Sequence, residues 1–156
     1  MTEEEVQELA RLLRKASAEG LGVPRLPKAA FVAMKGVIKQ PTVEVLITRD
    51  GRDLLFTPRH DKDWDGWHVP GGFVGAEESL EQACARIGSR ELGVTVTLER
   101  LVGHYSWTDH PYASAISLLC LCRADAAPKD GQFFAELPAN LITQHRAMLE
   151  RWWPPR

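Results

Sequence analysis

A chain of 156 residues, 44% hydrophobic and 26% charged, has the length of one domain and enough apolar content to bury a core. That balance excludes a disordered or fibrous class, and a formal net charge of −2 argues against a nucleic-acid binder, which would carry a basic surplus. No apolar run approaches the roughly 18 residues of a spanning helix, so no membrane partner is expected.

The N-terminus, "MTEEEVQELARLL", is acidic where a secretory signal would be basic and then apolar, and the expected location is the cytoplasm. Residues 3–18 read as a helix: Val6, Leu9, Leu12, Leu13 and Ala16 make one apolar stripe, and Gly20 and Gly22 end it. The stripe is expected to dock on the chain's own domain; a homodimer contact or a partner site is the alternative. The connector "GVPRLPK" then separates an N-terminal unit, 1–26, from a main domain, 27–156.

Ala29 to Ile38 reads as a strand. In "TVEVLITRDGRDLLFTPR", Val43, Val45 and Ile47 alternate with Glu44, Leu46 and Thr48, and Asp50-Gly51 marks a tight hairpin turn before Leu54 to Thr57 return. "HDKDWDGWHVPGG" reads as a loop rich in Asp, Gly and Trp. Ser79 to Leu92 is helical with Ser79 as N-cap. Strands follow at about 94–106 and 114–123, joined by "TDHPYA". "DAAPKDGQ" is a loop, "FFAELP" a short extended piece, and Asn140 to Trp153 a final helix anchored by Trp152 and Trp153. Cys84, Cys120 and Cys122 form no framework spacing and read as free structural thiols, since zinc would need further ligands at matched positions.

The stretch "PGGFVGAEESLEQACARIGSRELGV", Pro70 to Val94, carries the chemistry. A Gly-Gly turn lets backbone approach a ligand closely, and glutamates on the adjoining helix can hold Mg²⁺ through oxygen. Composition alone favours a plain surface helix with Glu77, Glu78, Glu81 and Glu91 in water. Spacing separates the two. Gly72, Glu78, Arg86, Glu91, Gly93 and Val94 fall at the offsets of the signature of the Nudix hydrolases, and the segment resembles that box. "WHVPGG" looks like the family's lead-in and "VLITRDGRDLLFTPR" like its preceding hairpin. The resemblance implies an α/β/α sandwich around a mixed sheet, an α+β fold to which the N-terminal helix is added.

Three positions depart from the family pattern, one of them Gly88 in the place of an aliphatic residue. Ile87 stands where the family has the glutamate after Arg, and Arg90 replaces the first of its Glu pair. Residues 87, 90 and 91 share one helical face, so a face of three carboxylates becomes isoleucine, arginine and Glu91. The box is then similar to that of the GDP-mannose mannosyl hydrolases. That resemblance implies one Mg²⁺ or Mn²⁺ ion, held by the Gly71 carbonyl and the Glu91 carboxylate, with Arg59 neutralising a diphosphate. The expected ligand is a small nucleotide, a nucleoside diphosphate linked to a second group; Trp64 and Trp67 frame the pocket mouth, with burial the alternative for Trp67 that the resemblance favours, and Gly72 and Arg90 also meet substrate. Glu91 and Arg59 are the expected catalytic residues, while Arg86 braces the loop through Glu78. His60, His68, His104 and His110 are candidate bases, and Asp130 or Gln132 a candidate loop ligand. The rival reading is a Nudix-fold binding or regulatory module without turnover.

Overall fold

The computed structural model describes residues 1–22, 25–108, 110 and 113–153. The connector "GVPRLPK" and the loop "TDHPYA" therefore lie partly outside the described residues. No described helix is long and apolar enough to cross a membrane.

Helix α1, Glu3–Ala18, starts at a capping box in which Thr2 and Glu5 each bond the other's backbone N–H. Its stripe does not dock as expected: no residue of α1 is buried, and Val6, Leu9, Leu12 and Leu13 are 44–58% exposed. Both faces of the central sheet are already covered by other helices, and α1 is held by its own cap and the Glu8–Arg11 and Lys15–Glu19 pairs. The expected strand at 29–38 is also corrected. It is a short helix α2, Lys28–Ala33, and a tight 3₁₀ turn, Met34–Gly36. The alanine-rich "KAAFVA" favours helix, Pro27 presets the backbone before it, and Phe31 packs edge-on against Phe73 at 4.8 Å.

The sheet is built on β1, Lys39–Arg49, flanked by β2, Asp53–His60, and β6, Ser114–Ala124. Its order is β3-β2-β1-β6-β5, with β3 at Asp65–His68 and β5 at Val96–Trp107; β4, Gly71–Phe73, pairs with β1, and β7, Gln132–Phe134, with β2. Strands β1 and β6 are parallel and the other pairs antiparallel, so the sheet is mixed. The hairpin turns where Asp50 and Gly51 take φ of 56° and 69°, left-handed values at the centre of a β-turn closed by the Arg52 N–H donating to the Arg49 carbonyl at 3.2 Å. The expected loop at 60–72 contains β3 and β4 instead. These strands are short and polar, so no alternation announces them; β3 pairs with β2, and an Ala at Gly66 would put its Cβ 2.2 Å from the Asn140 carbonyl.

Strand period decides the layers. Val43, Val45 and Ile47 face α3, Leu80–Ile87, through Ala83, Cys84 and Ile87; Leu46, on the opposite face, joins Met148 and Leu149 of α4, Thr143–Trp152. This is the expected sandwich. Helix α3 is capped by Ser79 with Gln82, as expected, then widens into a π turn over Gly88–Leu92 that Gly93 closes at φ 64°. The last helix begins three residues later than its expected start at Asn140, and Trp152 anchors it by donating from Nε1 to the His104 carbonyl at 2.7 Å. All three cysteines are free and buried.

Candidate functional site

The parity that sends Val43 and Val45 to α3 sends Thr42 and Glu44 the other way, into a cavity of about 660 Å³. Glu44 is buried. Its Oε1 accepts from Ser117 Oγ at 2.7 Å and from Thr42 Oγ1 at 3.4 Å, and Trp107 Nε1 donates to Ser117 Oγ at 2.5 Å. Burial pushes the Glu44 carboxyl up to about 8; the Ser117 hydrogen bond opposes this and the nearby Glu91 charge reinforces it.

Across the β1–β4 ladder Glu44 stands opposite Gly71, and Val43 opposite Gly72. A Cβ on Gly71 would lie 2.3 Å from Glu44 Oε2 and 2.8 Å from the Val43 carbonyl, so only glycine admits this approach. From the other side, the Gly71 N–H donates to Glu91 Oε2 at 3.3 Å. Two carboxyl groups thus flank one glycine. Arg90 Nη2 donates to Glu91 Oε1 at 2.5 Å and to the Gly71 carbonyl at 3.4 Å. Ile87 lies beneath Gly72, where an added Cβ would meet its Cδ1 at 2.9 Å. All three residues of the expected helical face therefore meet β4.

Arg59 donates from Nε to Asp61 Oδ2 at 2.7 Å, and its guanidinium stands 5.5 Å from the Trp64 ring centre. Asp61 Oδ1 accepts from the backbone N–H groups of Asp63 and Trp64, which fixes the loop that carries the tryptophan. Arg86 donates to both Glu78 oxygens at 2.6 and 2.7 Å and to the Phe73 carbonyl at 2.8 Å, while Glu78 Oε2 also accepts from the Gly75 N–H at 2.9 Å. That brace ties α3 to the turn after β4.

Of the residues singled out from sequence, Arg59, Trp64, Gly71, Gly72, Arg86, Arg90 and Glu91 line this one cavity; Glu78 and Gly93 lie outside it. Trp67 packs on Phe134 at 4.9 Å rather than at the mouth. Among the candidate bases, His68 and His110 line the cavity, whereas exposed His60 pairs with Asp65 at 2.5 Å and His104 lies beside Trp152. Asp130 lines the cavity; Gln132 pairs along β7 instead.

Sequence reasoning passed over Glu44 and His145. A single charge inside the apolar run "VEVLI" was the available signal for Glu44. For His145 there was none, because its place depends on contact with Val69, whose N–H it accepts at Nδ1 at 3.2 Å. That bond sets the Nε2–H tautomer. Burial pulls His145 down to about 3 and His68 to about 4, so both are neutral imidazoles; His145 lies edge-on to Trp107 at 5.5 Å and His68 edge-on to His145 at 5.9 Å.

The family resemblance implies a divalent cation. The donors gathered around Gly71, its own carbonyl and the Glu91 and Glu44 carboxyls, are oxygens of the kind a hard cation takes. A positive group already rests on two of them, the Arg90 guanidinium. In donor chemistry these oxygens fit a hard cation, with Glu91 as the carboxylate that would face it. Among the described residues, no cluster of three or more His, Cys, Asp or Glu side chains supplies a denser site.

Comparison with known proteins gives a concordant result. Residues 38–155 match the family model described as the NUDIX domain. The low-salt glycan biosynthesis protein Agl8 of Haloferax volcanii is 32% identical over 81 residues, which cover 52% of each chain; the chain thus spans about half the length of this curated relative. A MutT NUDIX hydrolase from Burkholderia pseudomallei superposes with a TM-score of 0.61 at 26% identity, over 72% of this chain and 97% of that one. A UDP-X diphosphatase superposes at 0.59 and 19% identity, over 93% of this chain and 78% of its own, a likeness of fold.

Proposed function

The chain belongs to the family of Nudix hydrolases, and from that membership we propose that it hydrolyses a nucleoside diphosphate linked to a second group, with one Mg²⁺ or Mn²⁺ ion. One observation carries the reading: a single cavity joins the Arg59 guanidinium, stacked on Trp64, to the oxygen cluster at Gly71 and Glu91. Arg59 suits a diphosphate, because a planar guanidinium can donate to two phosphate oxygens at once. Trp64 offers a face on which a base can stack. The Gly71 carbonyl and the Glu91 carboxylate are the residues that would hold the ion, whose chemistry when bound is to polarise a phosphate oxygen. Glu44 adds a second carboxyl to the same glycine. Ile87 and Arg90 leave no carboxylates at 87 and 90 for a further ion. The biosynthesis of glycans named for Agl8 favours a nucleotide sugar.

A binding or regulatory module is the second reading, favoured by the Arg90–Glu91 pair, which closes the oxygen cluster on itself. A panel of nucleoside diphosphates and nucleotide sugars, with and without Mg²⁺, scored for both products and thermal shift, separates the two. Metal-dependent product formation is the expected result. A large shift with no product from any compound would replace the enzyme reading with the binding one.

A further inference from the structure

The oxygen cluster at Gly71 is not open in the folded chain; it is bonded to a cation that the chain itself supplies. Arg90 belongs to the π turn, next to Glu91 in sequence, and its Nη2 reaches both Glu91 Oε1 and the Gly71 carbonyl. An arginine with no role toward the cavity would extend into water from this half-exposed position. Here the guanidinium turns back over the strand, and a Cβ on Gly72 would stand 3.4 Å from the same Nη2.

We propose that Arg90 is a built-in counter-cation that holds the place of the metal ion at Gly71 and Glu91 and must leave before that ion binds. The inference rests on the reading of those two residues as the cation site. Its physical basis is competition for the same oxygens. The guanidinium donates to the Glu91 carboxylate and to the Gly71 carbonyl, the same two oxygens that would hold an ion there. The Arg90 side chain is 53% exposed and its Glu91 partner 20%, so the pair is of the weakly held class, and displacing it costs about 1 kcal/mol or less. Once displaced, Arg90 stays on the cavity wall with its five N–H donors free for an anionic group. The arginine therefore lowers the affinity of the empty site for metal, and it ties metal entry to an arginine swing.

Direct Mn²⁺ binding, followed by calorimetry and by the spin signal of free Mn²⁺, tests this without any turnover. Arg90→Gln should bind Mn²⁺ about tenfold more tightly than the parent, because a unit positive charge next to a divalent ion is removed. Arg90→Lys, which keeps the charge, should stay within about threefold of the parent. Mn²⁺ affinity in Arg90→Gln equal to or weaker than the parent's, with the thermal unfolding midpoint unchanged, overturns the counter-cation. Glu91→Gln separates this from the underlying reading. If Glu91→Gln binds Mn²⁺ as tightly as the parent, the ion does not sit at Gly71 and Glu91, and both ideas fall together. If Glu91→Gln loses Mn²⁺ while Arg90→Gln gains nothing, the cation site stands and only the arginine's role is lost.

Discussion

Replacing Arg86 with alanine removes the brace between α3 and the turn after β4, and its cost can be worked from the contacts. Three hydrogen bonds go, two to the Glu78 carboxylate and one to the Phe73 carbonyl. The Glu78 side chain, 17% exposed, is left without its cation. Losing charge-assisted bonds and stranding a largely covered carboxylate should cost about 2–4 kcal/mol, or roughly 5–12 °C in the unfolding midpoint of a chain this size. The loss has a pH signature. The hydrogen bond from Arg86 comes first among the causes that hold Glu78 below the usual carboxylate range, burial opposing it. A carboxylate depressed in the folded state stabilises above its unfolded value, near 4.3, and that stabilisation is lost as pH falls through the lower folded value. The gap between parent and Arg86→Ala should therefore be full at pH 7 and narrow below about pH 4. Glu78→Gln keeps an acceptor for the Gly75 N–H and should cost less. The double variant should cost less than the sum of the two. Urea unfolding at pH 7 and pH 3 measures all of this, and a gap under about 0.5 kcal/mol at pH 7, or one equal at both pH values, would refute the brace.

His145 is buried as a neutral ring with its pKa near 3, so the unfolded chain takes up a proton from about pH 6.5 downward and stability falls with it, by about 2 kcal/mol at pH 5. His145→Asn, which retains an acceptor for the Val69 N–H, should remove that contribution, so that in unfolding curves the difference in stability between pH 7 and pH 5 moves by about 2 kcal/mol relative to the parent while the contributions of His68 and Glu44 stay. Arg59→Ala should weaken nucleoside diphosphate binding by tenfold or so, on the order of 1–2 kcal/mol; calorimetry showing unchanged affinity would move the ligand elsewhere. Glu91→Gln should abolish Mn²⁺ binding and turnover together, and titration of the parent should show no more than one tightly held ion per chain.

What could be read in the sequence was local, and what could not was set by pairing between distant segments. The hairpin was legible because Val43, Val45 and Ile47 alternate up to a turn whose Asp50-Gly51 pair suits left-handed backbone. Helix α3 was legible from Ser79 onward, where cap and periodicity agree. The Gly71–Glu91 contact could be expected from box spacing. The 29–38 stretch was not, because a short apolar run carries no period that separates helix from strand. Glu44 acquires its place from the β1–β4 register and from Ser117, 73 residues away. His145 meets Val69 across 76 residues. The exposed stripe of α1 shows the reverse case: amphipathic spacing forecasts a helix faithfully, yet says nothing of what the helix will touch.

Restoring carboxylates at 87 and 90 brings these threads to one experiment. The two positions are not equivalent in the fold. Position 90 is half exposed, and Arg90→Glu should cost little by itself. Ile87 is fully buried, with its Cδ1 under Gly72 and its neighbours Val43, Val45, Cys84 and Leu92 apolar. A glutamate there loses that packing and buries a carboxyl without a partner, a cost of about 3–5 kcal/mol in metal-free buffer. If the side chain can turn from beneath Gly72 toward the Gly71 carbonyl, a bound ion pairs with it and the loss is recovered. Binding only to the folded state returns about 4 kcal/mol at a metal concentration 1,000 times the dissociation constant. Ile87→Glu with Arg90→Glu should therefore be markedly unstable in chelator and regain most of its midpoint in Mn²⁺, with a shift much larger than the parent shows. Turnover should rise only in part, because the helix change leaves the loop after β6 as it was. A double variant whose stability ignores Mn²⁺ would mean that position 87 serves the core alone, and that no substitution there can rebuild a denser metal site in this chain.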